Sequence, residues 1–276
     1  MDKIQALLDS PAYIRADDDA KFLHRDELRG TRLQLEYLKP ELTLQEHGIT
    51  STIVLFGGTR IVQADAAKRR LDALTTQLET SPGDADLERS VAIAKTLVAK
   101  SRYYDVACEF AHRVAAWTKE TGREGEFIIT TGGGPGIMEA GNKGAHEAGV
   151  PTIGLNISLP LEQHPNPYIS PELCFQFRYF ALRKLHFIQR ARALVAFPGG
   201  FGTLDELFNA LCLVQTGKMQ PIPIVLVGRE FWRAAFDPDF LAAEGVIAPA
   251  DVDLIQYAET AEEIADFIRR WYEKPG

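Results

Sequence analysis

From position 49 onward the chain alternates between two hydrophobic patterns. Short apolar runs end in glycine, and between them apolar residues recur at helical spacing. STIVLFGG (51–58), GEFIITTGGG (125–134), VPTIGLNISL (150–159), RALVAFPGG (192–200) and PIPIVLVG (221–228) are runs of the first kind, rich in β-branched residues. Runs of this length bounded by turn residues predict buried strands, and ELCFQF (172–177) predicts one more. The intervening stretches 64–80, 85–120, 135–149, 179–191 and 203–217 predict helices, with Ser81-Pro82-Gly83 as a break. A broken helix over 230–245 and an amphipathic helix over 259–274 follow, and Thr260 with Glu263 has the spacing of a capping box. Strands alternating with helices, each strand apolar almost throughout, predict an α/β fold with a mostly parallel sheet covered on both faces.

The first fifty residues differ. They are rich in charge (DDDAKFLHRDELRG) and contain no glycine-rich turn. Leu28, Leu33, Leu35 and Leu38 would give a helix one apolar face. Residues 1–49 therefore read as an N-terminal helical extension packed on a main body of residues 50–276, with a Pro-rich loop over 160–171.

Composition narrows the class. With 276 residues, 46% of them hydrophobic, the chain can build a core without staples. The three cysteines, Cys108, Cys174 and Cys212, are too few and lie in apolar segments, which argues against a disulfide scaffold. A net charge of -8 argues against a general affinity for nucleic acid or anionic membranes, and still allows a local pocket for one phosphate. There is no apolar run of membrane-spanning length, and acids come early where a signal peptide would be apolar, so a cytoplasmic protein is expected.

In an open parallel sheet, ligands bind beyond the carboxyl ends of the strands. Three glycine clusters fall there: Gly57-Gly58, Gly132-Gly133-Gly134 with Gly136, and Gly199-Gly200 with Gly202. One such loop is ordinarily just a tight turn. Three in one sheet, with two opening helices, predict an anion site built from free N–H groups. GxxxxGK[ST], GxGxxG and GxSxG are absent, which disfavours a Walker ATPase, a dinucleotide dehydrogenase and a nucleophile-elbow hydrolase. His112, His146, His164 and His186 show no clustered metal-ligand spacing and read as surface or packing residues. Glu206 falls in the first turn of the helix after PGGFGT, where a carboxylate also simply complements the helix dipole. Arg183 lies on the preceding helix and also reads as a solvated arginine; to reach the loop it needs a bent approach or another subunit.

These residues carry a likeness. PGGFGTLDE (198–206) is similar to the PGGxGTxxE motif of the LOG family, cytokinin-activating phosphoribohydrolases once labelled lysine decarboxylases. Arg183-Lys184 resembles the family's RK pair, GGGPGIMEAGNKGA (132–145) its GGGxxGxM segment, and FGGTR (56–60) its first glycine loop. The resemblance implies a Rossmann-like, doubly wound fold, a homodimer or larger homo-oligomer, and no metal or other cofactor. It implies hydrolysis of the N-glycosidic bond of a nucleoside 5′-monophosphate to free base and ribose 5-phosphate. Arg183 and Glu206 would be the catalytic pair. Gly199, Gly200, Gly202 and Thr203, with Gly132, Gly133 and Gly134, would hold the phosphate. Gly57, Gly58, Thr59, Met138 and Lys184 would contact the rest of the substrate.

Departures from the pattern leave the base open between a cytokinin riboside monophosphate and an AMP-like nucleotide. The first loop reads GGT where GSS or GSA is usual, Ala191-Arg192 replaces an acidic position, and a helical insertion lies around 81–105. LDELFNALCLVQTGK resembles the longer bacterial branch. Two other readings stand beside hydrolysis. One is a non-catalytic nucleotide- or cofactor-binding carrier of the same fold. The other is pyridoxal-dependent decarboxylation on Lys143 or Lys184, neither of which sits in a recognisable context for that cofactor.

Overall fold

Every side chain of strand β1 (Thr52–Phe56) is buried. Ile53 and Leu55 point to one face, Val54 and Phe56 to the other, as the two-residue period of a strand requires. The computed structural model, which describes residues 2–158 and 164–273, places this strand at the centre of a seven-stranded sheet. The others are β2 (Ile128–Thr131), β3 (Ile153–Ile157), β4 (Cys174–Phe177), β5 (Ala191–Ala196), β6 (Ile224–Val227) and β7 (Gln256–Ala258). Their order is β4-β3-β2-β1-β5-β6-β7 and every pairing is parallel. The sheet is thus wholly parallel and doubly wound, a Rossmann-like arrangement whose order reverses between β1 and β5.

The helices are α1 (Lys3–Leu8), α2 (Ala20–Leu23), α3 (Arg29–Glu46), α4 (Ala64–Thr80), α5 (Ala85–Lys100) and α6 (Arg102–Glu120). Then come α7 (Ile137–Glu147), α8 (Phe180–Gln189), α9 (Phe201–Gln215), α10 (Arg229–Ala235), α11 (Pro238–Ala243) and α12 (Ala261–Glu273). Helices α6, α7 and α12 cover one face through Phe110, Val114, Ile137, Ile264 and Ile268. Helices α3, α8, α9 and α10 cover the other through Leu44, Phe187, Leu207 and Trp232. Each such side chain, fully buried, contributes about 1.5–3 kcal/mol of transfer free energy.

Several elements differ from the sequence expectation. The stretch 85–120 is two helices, because Ser101 ends α5 by donating its N–H and hydroxyl to the Val98 carbonyl. Its own carbonyl then accepts from Tyr104 N–H at the start of α6. Strand β7 is an addition: three residues at the sheet edge are too few to show a period. The capping box is present, with Glu263 N–H on Thr260 Oγ1 at 3.2 Å and Thr260 N–H on Glu263 Oε2 at 3.3 Å. Position 159 of the third strand, residues 160–163 of the Pro-rich loop and residues 274–276 at the end lie outside the described residues, as does Met1.

Helix α3 of the N-terminal segment lies along α8. Glu36 Oε1 accepts from the N–H groups of Arg178 and Tyr179, both at 2.8 Å, where α8 begins. At the other end Arg190 grips both oxygens of Glu41 at 2.5 and 2.7 Å, and Gln189 donates to Tyr37 and Glu41. Leu44 and Ile49 enter the core. Leu35, expected on the apolar face, is exposed instead; the buried stripe runs through Pro40 and Leu44.

Candidate active site

The carboxyl ends of β1 and β5 lie side by side, with Phe56 opposite Ala196. The chain leaves both strands through glycine turns, and the turns are tied together: Gly58 N–H donates to Pro198 O at 2.9 Å. The turn after β2 closes on the same place. Gly136, at φ +73°, lies against Gly58 and Thr59 so tightly that any side chain would strike their backbone. The space between the three turns is a cavity of about 340 Å³ at the point where the strand order reverses, within the usual range for a small-molecule site.

Helix α9 opens into this cavity through Gly200, Gly202 and Thr203. It begins at Phe201, two residues earlier than the sequence suggested, and its first turn leaves N–H groups without intrahelical partners. Thr203 is buried and its hydroxyl fits against Gly199, where a β-carbon would collide with it. Because the helix starts early, Glu206 stands in the second turn, where the dipole effect has faded. It is buried, lines the cavity, and its Oε2 has no partner among the described residues. Burial outweighs the attraction of Arg183 and Lys184 and pushes its carboxyl up to about 7.

Arg183 lines the same cavity from α8. It reaches there within one chain, so no second subunit is needed to deliver it. Its Nε donates to Leu155 O at 2.7 Å and its Nη2 to Gly132 O at 3.4 Å, and the guanidinium lies 5.1 Å from the centre of the Phe187 ring. Burial lowers its pKa, with Glu206 acting the other way. Gly132 makes the room: a β-carbon there would sit 2.5 Å from Arg183 Nη2 and 2.8 Å from Met138 Sδ.

Of the residues singled out from sequence, the cavity is lined by Arg183, Glu206, Gly57, Gly58, Thr59, Gly132, Met138, Gly200, Gly202 and Thr203. Gly133, Gly134, Gly199 and Lys184 are not part of this lining. The N–H of Gly133 is taken by Thr131 Oγ1, and the carbonyls of Gly133 and Gly134 by Asn166. Asn142, fully buried, joins Thr131, Thr152 and Asn166 in one hydrogen-bonded network that fixes this turn. Lys184 pairs with Asp205 at 2.6 Å. Sequence reasoning missed Asn156, Ile157, Phe180 and Asp205 in the wall. Asn156 carried a faint signal, as a polar residue in the apolar run IGLNI.

His164 and His146 are exposed, and His186 is packed between Tyr37 and Phe177. His112 is not isolated: the fold gathers it with Cys108 and Glu147, away from the cavity. Among the described residues no helix is long and apolar enough to cross a membrane.

A family model described as "Possible lysine decarboxylase" matches residues 138–268. A protein of Oryza sativa subsp. japonica, named a probable cytokinin riboside 5′-monophosphate phosphoribohydrolase, is 27% identical over 62% of this chain and 78% of its own length. A protein of Arabidopsis thaliana named as the same phosphoribohydrolase is 26% identical over 60% and 74%. The pyrimidine/purine nucleotide 5′-monophosphate nucleosidase of Escherichia coli (strain K12) is 32% identical over 37% of this chain, a stretch that is 24% of that protein. Among solved structures, the molybdenum cofactor carrier protein of Chlamydomonas reinhardtii aligns with a TM-score of 0.47 at 21% identity, over 82% of this chain and 99% of that one. With its motifs in that order around one cavity, the chain is similar, at modest identity, to proteins named as phosphoribohydrolases and nucleotide nucleosidases.

Proposed function

We propose that the protein hydrolyses the N-glycosidic bond of a nucleoside 5′-monophosphate, releasing the base and ribose 5-phosphate. One observation carries the reading: Arg183 and Glu206 face a single cavity whose edge is the open first turn of α9. Breaking a glycosidic bond develops positive charge on the sugar, which a nearby carboxylate stabilises. Glu206, held near neutrality in its titration, is ionised in a large fraction of molecules at pH 7 and able to accept a proton from the attacking water. Water oxygen bonds to C1′, the C1′–N bond breaks, and its electron pair leaves with the base, which takes up the proton that the water gave to Glu206.

The 5′-phosphate rests on α9, where Gly200 and Gly202 offer N–H groups, Thr203 its hydroxyl, and the helix the positive end of its dipole. Arg183, anchored by two backbone carbonyls, keeps further donors of its fork for ribose hydroxyls or phosphate. Met138, Ile157 and Phe180 give the wall an apolar stretch suited to a planar base, of cytokinin riboside monophosphate or AMP type. The names of the rice, Arabidopsis and Escherichia coli relatives support this reading. Lys143 and Lys184 do not line the cavity, which gives decarboxylation through a lysine-bound cofactor no support here.

The test is chromatographic. The protein is incubated with a panel of nucleoside 5′-monophosphates, isopentenyladenosine monophosphate included, and with the matching nucleosides. Base released from monophosphates alone is the expected result, and its pattern names the base. Tight binding by calorimetry with no release from any of them would instead establish a carrier.

A further inference from the structure

On the outer side of the α6–α7 pair, away from the cavity, three side chains with metal-binding atoms meet. Cys108 and His112 are four positions apart on α6, which places them on one face of the helix. Glu147 closes α7 and reaches across to both. The helices come this close because Gly144 has no side chain: a β-carbon there would run into the Cys108 carbonyl oxygen and lie 2.9 Å from the Ala111 β-carbon.

The spacing of the donor atoms is informative. Glu147 Oε2 lies 3.2 Å from His112 Nε2 and 3.8 Å from Cys108 Sγ, and all three atoms lie within 4.8 Å of one another. With metal–ligand bonds of about 2.0–2.3 Å at tetrahedral angles, neighbouring ligand atoms stand roughly 3.3–3.6 Å apart. The two separations from Glu147 therefore already stand close to those that a tetrahedral ion imposes, and the cysteine and histidine atoms lie within 4.8 Å of each other on two packed helices. The other oxygen of Glu147 faces Lys143 Nζ at 3.7 Å, an arrangement that orients the carboxylate with Oε2 toward the cysteine and histidine. Asp105, one turn before Cys108, adds negative charge that offsets that lysine.

We propose that Cys108, His112 and Glu147 form a site for one zinc-class divalent transition metal ion, with a fourth position open to water. Thiolate, imidazole and carboxylate together suit zinc and its neighbours better than magnesium or calcium, which take oxygen ligands. Cys108 gives up its thiol proton as the ion binds, since the thiolate is the ligand. The ion ties the last turn of α7 to α6. Met138, in the first turn of α7, lines the cavity, so the same helix joins the two sites.

Cobalt(II) is the probe, because a thiolate ligand gives it a charge-transfer band in the near ultraviolet and a tetrahedral site gives intense visible bands. The full chain, freed of metal with a chelator, is titrated with cobalt and then with zinc, and its melting temperature is followed in parallel. One cobalt per chain with both sets of bands, displaced by zinc and accompanied by a rise in melting temperature, is expected. The bands are expected to vanish in Cys108→Ser and to be lost or strongly weakened in His112→Ala and Glu147→Gln. All three side chains are partly exposed, so these variants should fold, which circular dichroism checks. No thiolate band in the unsubstituted chain would overturn the proposal. So would a band that persists in Cys108→Ser, which would place the ion on Cys174 or Cys212, or one unaffected by both His112→Ala and Glu147→Gln.

Discussion

Glu206 is buried and Arg183 half-buried, and each is left with bonding capacity facing the cavity. Glu206→Gln keeps the shape of the side chain and removes its charge. It is expected to abolish base release while leaving the fold intact, measured by chromatography alongside circular dichroism. Gly132→Ala tests Arg183 without touching it. The added methyl would press on the guanidinium and on the Met138 sulfur, both flexible ends that must move, so turnover should fall by orders of magnitude at a stability cost of about 1–3 kcal/mol. Turnover near that of the parent would mean that the Arg183 position in the cavity is irrelevant to the chemistry. Thr203→Val should raise KM for the monophosphate with little change in kcat; an unchanged KM would mean that the Thr203 hydroxyl does not hold the phosphate. At this scale the motif glycines, Thr203 and Glu206 were legible because they follow one strand in sequence. The anchors of Arg183 were not: Leu155 and Gly132 lie 28 and 51 positions away and meet it only in the folded sheet. Asn156 showed only as a polar residue in an apolar run, and Phe180 was hidden for the same reason.

Helix α8 carries Arg183, and α3 holds α8 at both ends. Glu36 satisfies two N–H groups at its start, and Glu41 grips Arg190 at its finish with both side chains largely buried. The Arg190 guanidinium beside Glu41 holds its carboxyl below the usual range. Glu41→Ala leaves Arg190 buried without its partner and should cost about 2–4 kcal/mol, read as a fall in melting temperature. Glu36→Ala should cost about 1 kcal/mol, as a lost helix cap does, and should lower turnover more than that loss explains if α3 positions Arg183. Among the elements, the helix over 64–80 was legible to the residue, since composition alone sustains it. The 85–120 stretch read as one helix because its apolar period runs on through Ser101, whose hydrogen bonds to Val98 and Tyr104 break it. The role of α3 was invisible, because a charged segment does not show which helix it will lie on.

The whole molecule is a parallel sheet whose reversal point was implied by three glycine-ended strands, although the strand order itself could not be read from spacing. Its stability should depend on pH through two opposing buried groups. Glu206 is raised from 4.5 to about 7, so the folded state binds more protons than the unfolded across that window, and stability falls as pH rises through it. His186 is lowered from 6.5, chiefly by burial between Tyr37 and Phe177, with Arg190 adding to this and Glu41 opposing it. Here the unfolded state binds more protons, so stability falls as pH drops below 6.5. In the parent the two slopes offset between pH 5 and 7. In Glu206→Gln only the histidine slope remains, so urea melts should show stability rising with pH over that range. Above pH 7 this variant should exceed the parent by on the order of 2–3 kcal/mol. A parent and variant with the same pH profile would show that Glu206 titrates as an ordinary exposed carboxyl.

The proposed reaction is cleavage of nucleoside monophosphates in this cavity with Glu206 as the reacting carboxylate. It is tested most directly by measuring free base and ribose 5-phosphate together, from a monophosphate and its matching nucleoside, with the parent protein and Glu206→Gln side by side. Equal amounts of the two products are expected from the monophosphate with the parent, and neither product above background in the other three reactions. Base release by Glu206→Gln at the parent rate, or equal release from the nucleoside, would contradict it.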